Sequence, residues 1–273
     1  MIEDVKALVG RSIETQDQAD RHRWQAYRSF FKLAQDEPAA AFHWLMFTAL
    51  PEESRADGHA AVMAPFPPLP LPRRMWAGGE INWIEPIGEG DALTRASSII
   101  RADAKHGSTG DLLVTSVQHR ISRGSVLCVD ERQDVIFMPA ADKRASPPLR
   151  PLGFEPDWEQ PAQFDEVALF RYSALTFNSH RIHYDVAYAR DVEHYPDLVV
   201  HGPLLASSLI HAGVRSNGKA RPVKFSYRAV APAFVGEELK IVGRRVDDAL
   251  ELAVVGADGG ARTTGVLYFN SDK

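Results

Sequence analysis

The chain of 273 residues contains a single cysteine, Cys128. That excludes an intramolecular disulfide and a cysteine-rich zinc site, and it fits a reducing compartment such as the cytoplasm. Cys128 sits in the apolar run Ser125 to Val129, where a buried structural thiol is expected rather than a nucleophile. No apolar run is long enough to span a bilayer, and the first residues, Met1 to Lys6, carry no apolar signal core, so no membrane partner and no secretion are expected. Positive charge is not in excess: 31 Lys and Arg against 36 Asp and Glu give a net charge of −5. A general nucleic-acid binder would normally be basic. Also missing are a G-x-S-x-G elbow, a P-loop and a dinucleotide-binding glycine pattern.

What is present divides into two similar parts. Asp17 to Leu33 has helical spacing of Ala19, Trp24, Tyr27, Phe30 and Phe31, and Ala39 to Leu50 gives a second short helix. The proline-dense run Pro65 to Pro72 predicts an extended, packed connector more readily than an SH3 ligand. Strands are expected at Glu80 to Ile84, Ala92 to Arg101, Asp111 to Ile121 and Val126 to Phe137. A polar, Pro-containing stretch from Ala140 to Pro151 reads as a linker. Beyond it, Val167 to Leu175 reads as a strand, and Arg181 to Val192 and Gly202 to Val214 as helices, with Pro203 suited to a first turn. Strands follow at Val223 to Val230, Glu238 to Val246, Leu250 to Val255 and Ala261 to Phe269.

A short motif recurs. Pro86, Gly90 and Asp91 are matched by Pro232, Gly236 and Glu237 at a constant offset, since 232 − 86 = 146 and 236 − 90 = 146. Each copy follows an aromatic-containing strand, with Trp83 or Tyr227, and precedes a long strand run. This points to a duplicated α+β unit, residues 1–140 and 151–273, whose sheets join edge to edge and leave a cleft at the junction.

The chemistry concentrates in Asn178-Ser179-His180-Arg181-Ile182-His183-Tyr184-Asp185 and in His201-Gly202-Pro203-Leu204. Imidazoles handle protons near neutrality, and a Gly-Pro helix start offers aimed backbone N–H donors. Together they suit reactions at a carbonyl. His180 and His183 have an i, i+3 spacing, but no companion His-Glu pair makes a zinc motif, so no metal is expected. Arg215, Lys219, Arg221 and Lys224 form a basic loop without an acid, a candidate for phosphate contacts, and Arg228 is a further one.

These stretches, with Asp57-Gly58-His59, the Pro-rich run, Arg73 to Gly79, Leu175 to Asp185 and Tyr195-Pro196, resemble the MaoC-like hydratases and dehydratases. The resemblance is to the branch of type 2 hydroxyacyl-thioester dehydratases and of mesaconyl-C4-CoA and itaconyl-CoA hydratases. It implies a double hotdog fold and reversible hydration of an enoyl-CoA, with coenzyme A present only as part of the substrate and no other cofactor. A homodimer is compatible with it. The broad family pattern D-x-N-P-x-H falls on Asn178, His180, Arg181 and His183, and only the histidine is retained in kind. The resemblance implies catalytic roles for His183 as acid/base, Asn178 as holder of the water or β-hydroxyl, and the Gly202 N–H at the thioester oxygen. The acyl group is expected to be short and dicarboxylic, with His180, Arg181 or Arg74 at its free carboxylate and Trp76, Trp83 and Met75 in the pocket wall of a non-catalytic first half. Asp185 is a candidate to orient His183. A fatty-acid-synthesis dehydratase, a hotdog thioesterase and a non-catalytic acyl-CoA-binding protein are the alternatives.

Overall fold

A computed structural model describes residues 5–48, 50, 53–107, 110–140 and 150–270. Ten strands form one antiparallel sheet: β1 (Ser12–Gln18), β2 (Arg73–Trp83), β3 (Ala92–Gly107), β4 (Gly110–Arg123), β5 (Val126–Met138), β6 (Trp158–Ala162), β7 (Pro222–Ala229), β8 (Leu239–Val246), β9 (Ala249–Gly256) and β10 (Ala261–Phe269). Their order is β1-β3-β4-β5-β2-β7-β10-β9-β8-β6. Renumbering the second set from β6 gives the same sequence reversed, the signature of two like units related by a twofold. The junction confirms it by register. Glu80 lies opposite Ser226, its mate at the offset of 146, flanked symmetrically by Gly79–Tyr227 and Ile81–Phe225. A strand that pairs with its own repeat removes one exposed edge from each unit.

Among the described residues there are four α-helices, α1 (Arg21–Phe30), α2 (Glu166–Thr176), α3 (Val186–Asp191) and α4 (Gly202–Ser216), of which α4 lies against the sheet. Helix α4 is the hub, with ten of its fifteen residues buried. At Gly213 a Cβ would meet Leu267 and Leu252 at 2.7 and 2.9 Å, so glycine lets the helix lie close to β9 and β10. The cover of α4 comes from the first half. Tyr27 Oη lies 2.7 Å from His211 Nε2, and Arg215 Nε donates to Glu37 at 3.1 Å. One core therefore runs through both halves, with Tyr27, Phe42, Leu45 and Ile81 packed together with Leu204, Leu209 and Phe225. A second cluster of Ile99, Leu113, Val117 and Phe137 lies under the Pro-rich segment, whose Phe66 is buried in it. That segment is thus a packed connector.

The recurring turn does the same work twice. Asp91 accepts from Gly88 N at 2.8 Å, and Glu237 from Phe234 N at 3.1 Å. Gly90 and Gly236 both take positive φ, +89° and +75°. Each turn then hydrogen-bonds the chain entering a helix: Ala19 before α1, and Val200 before α4.

Several expected elements differ. Val167 to Leu175 is helix, not strand: Asp165 caps it by accepting from Ala168 N at 2.7 Å, and Leu169 and Tyr172 are buried at i, i+3. The helix expected from Arg181 to Val192 is a 3-10 turn at Arg181–His183 followed by α3, because Asp185 accepts from Tyr188 N and starts a new helix. The helix from Asp17 begins at Arg21, since Asp17 and Gln18 belong to β1, and Ala39 to Leu50 holds only a 3-10 turn, Phe42–Leu45. Of the expected linker, residues 141–149 lie outside the described residues.

Candidate active site

Helix α2 ends on Phe177 at φ +51°, with Asn178 N donating to Ser173 O at 2.8 Å. Asn178 Oδ1 then accepts from His180 N at 3.0 Å, an Asx turn that swings the chain into the 3-10 turn carrying His183. This commits the amide oxygen to the backbone and leaves the amide N–H groups for another partner. His183 is buried, and its Nδ1 lies 2.7 Å from Val199 O. A carbonyl can only accept, so Nδ1 carries the hydrogen and Nε2 is the free basic atom. Burial holds the His183 imidazole down at about 4, so it is neutral at physiological pH.

Val199 is fixed in turn. Its N–H donates to Ile182 O, while Val200 N reaches Ala233 O and Val235 N reaches Leu198 O at the second recurring turn. Asp185 does not orient His183: it caps α3 and pairs with Arg181 at 2.7 Å. The Val199 carbonyl takes that role.

His201 precedes α4. Its ring stacks on His183 at 3.6 Å and 17°, and its Nε2 lies 2.9 Å from Ser173 Oγ. Stacking sets His183 against the start of α4. That helix end carries no side-chain cap. Gly202 and Leu204 present N–H groups there, while Pro203 has none. Above it stands Trp76 of β2, whose Cε3 would lie 2.9 Å from a Cβ at Gly202. Trp76 is held by a stack on Tyr227 at 4.5 Å and an edge contact with Trp44 at 5.5 Å. Trp44 is itself anchored by a 2.8 Å bond to the buried Glu131, which also lies 3.2 Å from His43. Burial would raise the Glu131 carboxyl, but the bond and charge of His43 outweigh it and hold it at about 2. Glycine is what lets this immobilised indole pack directly on the start of α4, where the two halves meet.

The first half contributes more than Trp76. The loop 54–60 packs against the motif: Arg181 N donates to Asp57 O at 2.9 Å, Arg181 Nη1 to Ala56 O at 3.2 Å, and Ser179 Oγ to Gly58 O. Gly58 has φ +86°, and a Cβ there would overlap the Ser179 carbonyl, so glycine is required for this approach. The loop delivers His59 onto His180, ring to ring at 3.8 Å, and His180 lies 5.5 Å from His183. Four imidazoles thus form a row across the junction, His59-His180-His183-His201. Asp57 holds the far end, accepting from His59 N at 2.9 Å and lying 3.1 Å from His59 Nδ1. Burial holds His59 below its ordinary value, His180 at about 2 and His201 well below. Sequence reasoning placed Asp57 and His59 in the family pattern but not in the site; nothing local in Asp-Gly-His says which surface the loop will meet.

The remaining expected residues sort clearly. Arg74 is half-buried beside Asp57, His59 and His180, has no hydrogen-bond or ion-pair partner among the described residues, and is lowered by burial to about 10. Arg181 is committed to Asp185 and Ala56 and lies 4.2 Å over Tyr188, so it holds the loop to the motif. Arg228 is exposed, one residue on from the inward Tyr227, and strand alternation puts it on the other face of the sheet. Trp83 is buried with its Nε1 donating to Ala40 O, and Met75 is exposed; neither is placed on Gly202 as Trp76 is. The basic loop is a strap between halves: Arg215 meets Glu37, Lys219 meets Asp36, Lys224 meets Glu80, and Arg221 donates to Ile84 O.

A sequence profile of the hydroxyacyl-thioester dehydratase type 2 family matches residues 41–235, which takes in the loop and the histidine row and ends within the second recurring turn. A mesaconyl-C4-CoA hydratase from Chloroflexus aurantiacus is 36% identical over 222 residues, 80% of this chain and 79% of its own length. Among solved structures, a MaoC-like dehydratase from Phytophthora capsici superposes with a TM-score of 0.70 at 14% identity, over 99% of this chain and 100% of that one. A Mycobacterium tuberculosis protein described as a double hotdog superposes at 0.62 and 10% identity over 95% of both chains. Profile, relative and fold agree with the sheet: the chain belongs to the hydroxyacyl-thioester dehydratase type 2 family, MaoC-like hydro-lyases with a double hotdog fold.

Proposed function

We propose that the chain catalyses reversible hydration of a short 2-enoyl-CoA whose acyl group carries a second carboxylate. The observation that carries this reading is the clamped, neutral His183 stacked against an uncapped helix start. In hydration, a thioester carbonyl at the start of α4 accepts a hydrogen bond from Gly202 N–H, and α4's positive end favours the enolate charge that develops there. The Asn178 amide N–H groups hold the oxygen that adds to Cβ. His183 Nε2 transfers the proton at Cα. Arg74 supports the dicarboxylic acyl group: an unpaired, half-buried guanidinium beside two neutral imidazoles suits a carboxylate, with which it forms a bidentate pair. The same substrate class is named for the Chloroflexus relative. The pseudo-twofold gives one chain both hotdog units, so the site does not need a second copy, and the single buried thiol suits a reducing compartment such as the cytoplasm.

Loss of the enoyl-thioester absorbance is followed with crotonyl-CoA, mesaconyl-C4-CoA and itaconyl-CoA, using His183→Ala as control. Rapid loss with a dicarboxylic ester, reduced about 10²–10⁴-fold in the variant, is expected. Preference for crotonyl-CoA or longer homologues would replace the dicarboxylic reading with a fatty-acyl one. Release of free thiol would identify a thioesterase.

A further inference from the structure

Hydration moves one proton from water to Cα, so the site must take a proton at one place and give it at another. The usual carboxylate position of the motif holds Asn178, whose amide accepts no proton. Within the second half the other candidates are engaged: His201 is stacked behind His183 with Nε2 on Ser173, and Asp185 is tied to Arg181 and Tyr188. Across the junction the structure supplies a carboxylate-backed imidazole. Asp57 grips His59 by both its backbone N–H and its ring Nδ1. That arrangement fixes the tautomer with Nε2 as the basic atom and stabilises the imidazolium once it forms.

We propose that His59, positioned by Asp57, is the second proton-handling residue of the reaction, so that both halves of the chain are catalytic. This rests on the hydratase reading above. His59 Nε2 takes a proton from the water as its oxygen bonds to Cβ, and the π pair moves through Cα onto the thioester oxygen held by Gly202. The proton gained by His59 passes along the row to His183 Nε2, the ring centre of His180 lying 3.8 Å from that of His59 and 5.5 Å from that of His183. The pair then returns, and Cα takes that proton from His183 Nε2. Neither histidine keeps a net proton after a turnover. The groups facing His59 are Asp57, Arg55, Arg74, His180 and His183. Asp57, His59 and His180 also bring ligand atoms within 4.8 Å of one another. However, Arg55 lies 3.4 Å from Asp57 and Arg74 stands beside it, so the carboxylate is balanced by cations of the chain itself.

The test uses the intact protein and the enoyl-CoA that the wild type hydrates fastest. His59→Gln is expected to lower kcat about 10²–10⁴-fold with KM within a few-fold, and free imidazole to restore part of the turnover of His59→Ala. Asp57→Asn is expected to lower kcat less and to move the acid limb of the pH profile, as loss of a positioning carboxylate requires. A kcat within threefold of wild type for His59→Gln in a protein that melts normally would overturn the proposal. So would an effect confined to KM, or activity lost to a chelator and restored by zinc. Should the histidine variants not fold, Gly58→Ala, which pushes the loop off Ser179, must lower kcat; full activity there overturns the proposal equally. Wild type inactive on every thioester would instead refute the hydratase reading.

Discussion

Helices α1 and α4 enter their two halves in the same way and end with opposite chemistry. Each follows a residue held by a recurring Pro-Gly-acid turn, Ala19 in the first half and Val200 in the second. At α1 the next residue is Asp20, whose side chain accepts from Arg23 N and pairs with the Arg23 guanidinium. At α4 the next residue is His201, whose side chain makes no cap bond, and Gly202 follows. The first helix start is closed by its own carboxylate; the second is open to a ligand. Duplication supplied two frames, and the residue at the cap decides which helix start keeps its N–H groups free of a side-chain acceptor.

The comparison breaks most sharply if the closed cap is moved. His201→Asp places a carboxylate where α1 has one, which satisfies the α4 N–H groups and opposes a developing enolate. Turnover is expected to fall about 10²–10³-fold, the scale of losing an oxyanion donor. Circular dichroism checks the fold, and turnover above a tenth of wild type in a folded variant would show that the helix start does not polarise the thioester.

A weaker contrast concerns acid. Burial lowers six imidazoles, of which His180, His183, His201 and His211 belong to the second half and His59 and His119 to the first. Each is neutral when folded, whereas in the unfolded chain it binds a proton near pH 6.5. Their stabilisation is therefore complete above pH 6.5 and is lost as pH falls toward the folded values, about 4 for His183 and His119. For one such group the loss at pH 5 is about 2 kcal/mol. The melting temperature should drop between pH 7 and pH 5, and His183→Gln should flatten that slope; a flat profile in the wild type would refute it.

Legibility followed local signal. The strands β7 to β10 and β3 to β5 could be read from their apolar runs and Gly-containing turns, and the offset of 146 marked the duplication, whose dyad the strand register places at Glu80 and Ser226. Both outer strands were invisible for one reason. β1 is polar along its length, and β6 is five residues with Pro161 in it, so edge position removed the apolar alternation that identifies a strand. Helix α2 was misread because Val167 and Phe170 are exposed, which spoils its periodicity, and only Asp165 marks its start. His183, Asn178 and Gly202 are proposed together because they stand within one short stretch of sequence. His59 lies 121 residues before His180, and only the packing of Gly58 on Ser179 brings them together. For Arg181 and the basic loop the converse holds: their charge is visible in the sequence, but the partners that engage them are not. Arg228 was separated from Tyr227 by strand alternation.

The smallest expected effect isolates what the closed cap does for α1. Asp20 accepts from Arg23 N at 3.0 Å, and Arg23 also holds Asp17 at 2.6 Å. Asp20→Ala removes the cap while Asp17 keeps the arginine in place. Loss of such a cap costs about 0.5–2 kcal/mol. Since α1 covers α4 through Tyr27 and His211, nine positions along the helix from Gly202, the cost should appear in stability and not in chemistry. Urea unfolding should show a lower midpoint at unchanged slope, with kcat and KM as in the wild type. A change in kcat would mean that the α1 start communicates with the site through α4, and the two helix ends would then be coupled rather than divided in their duties.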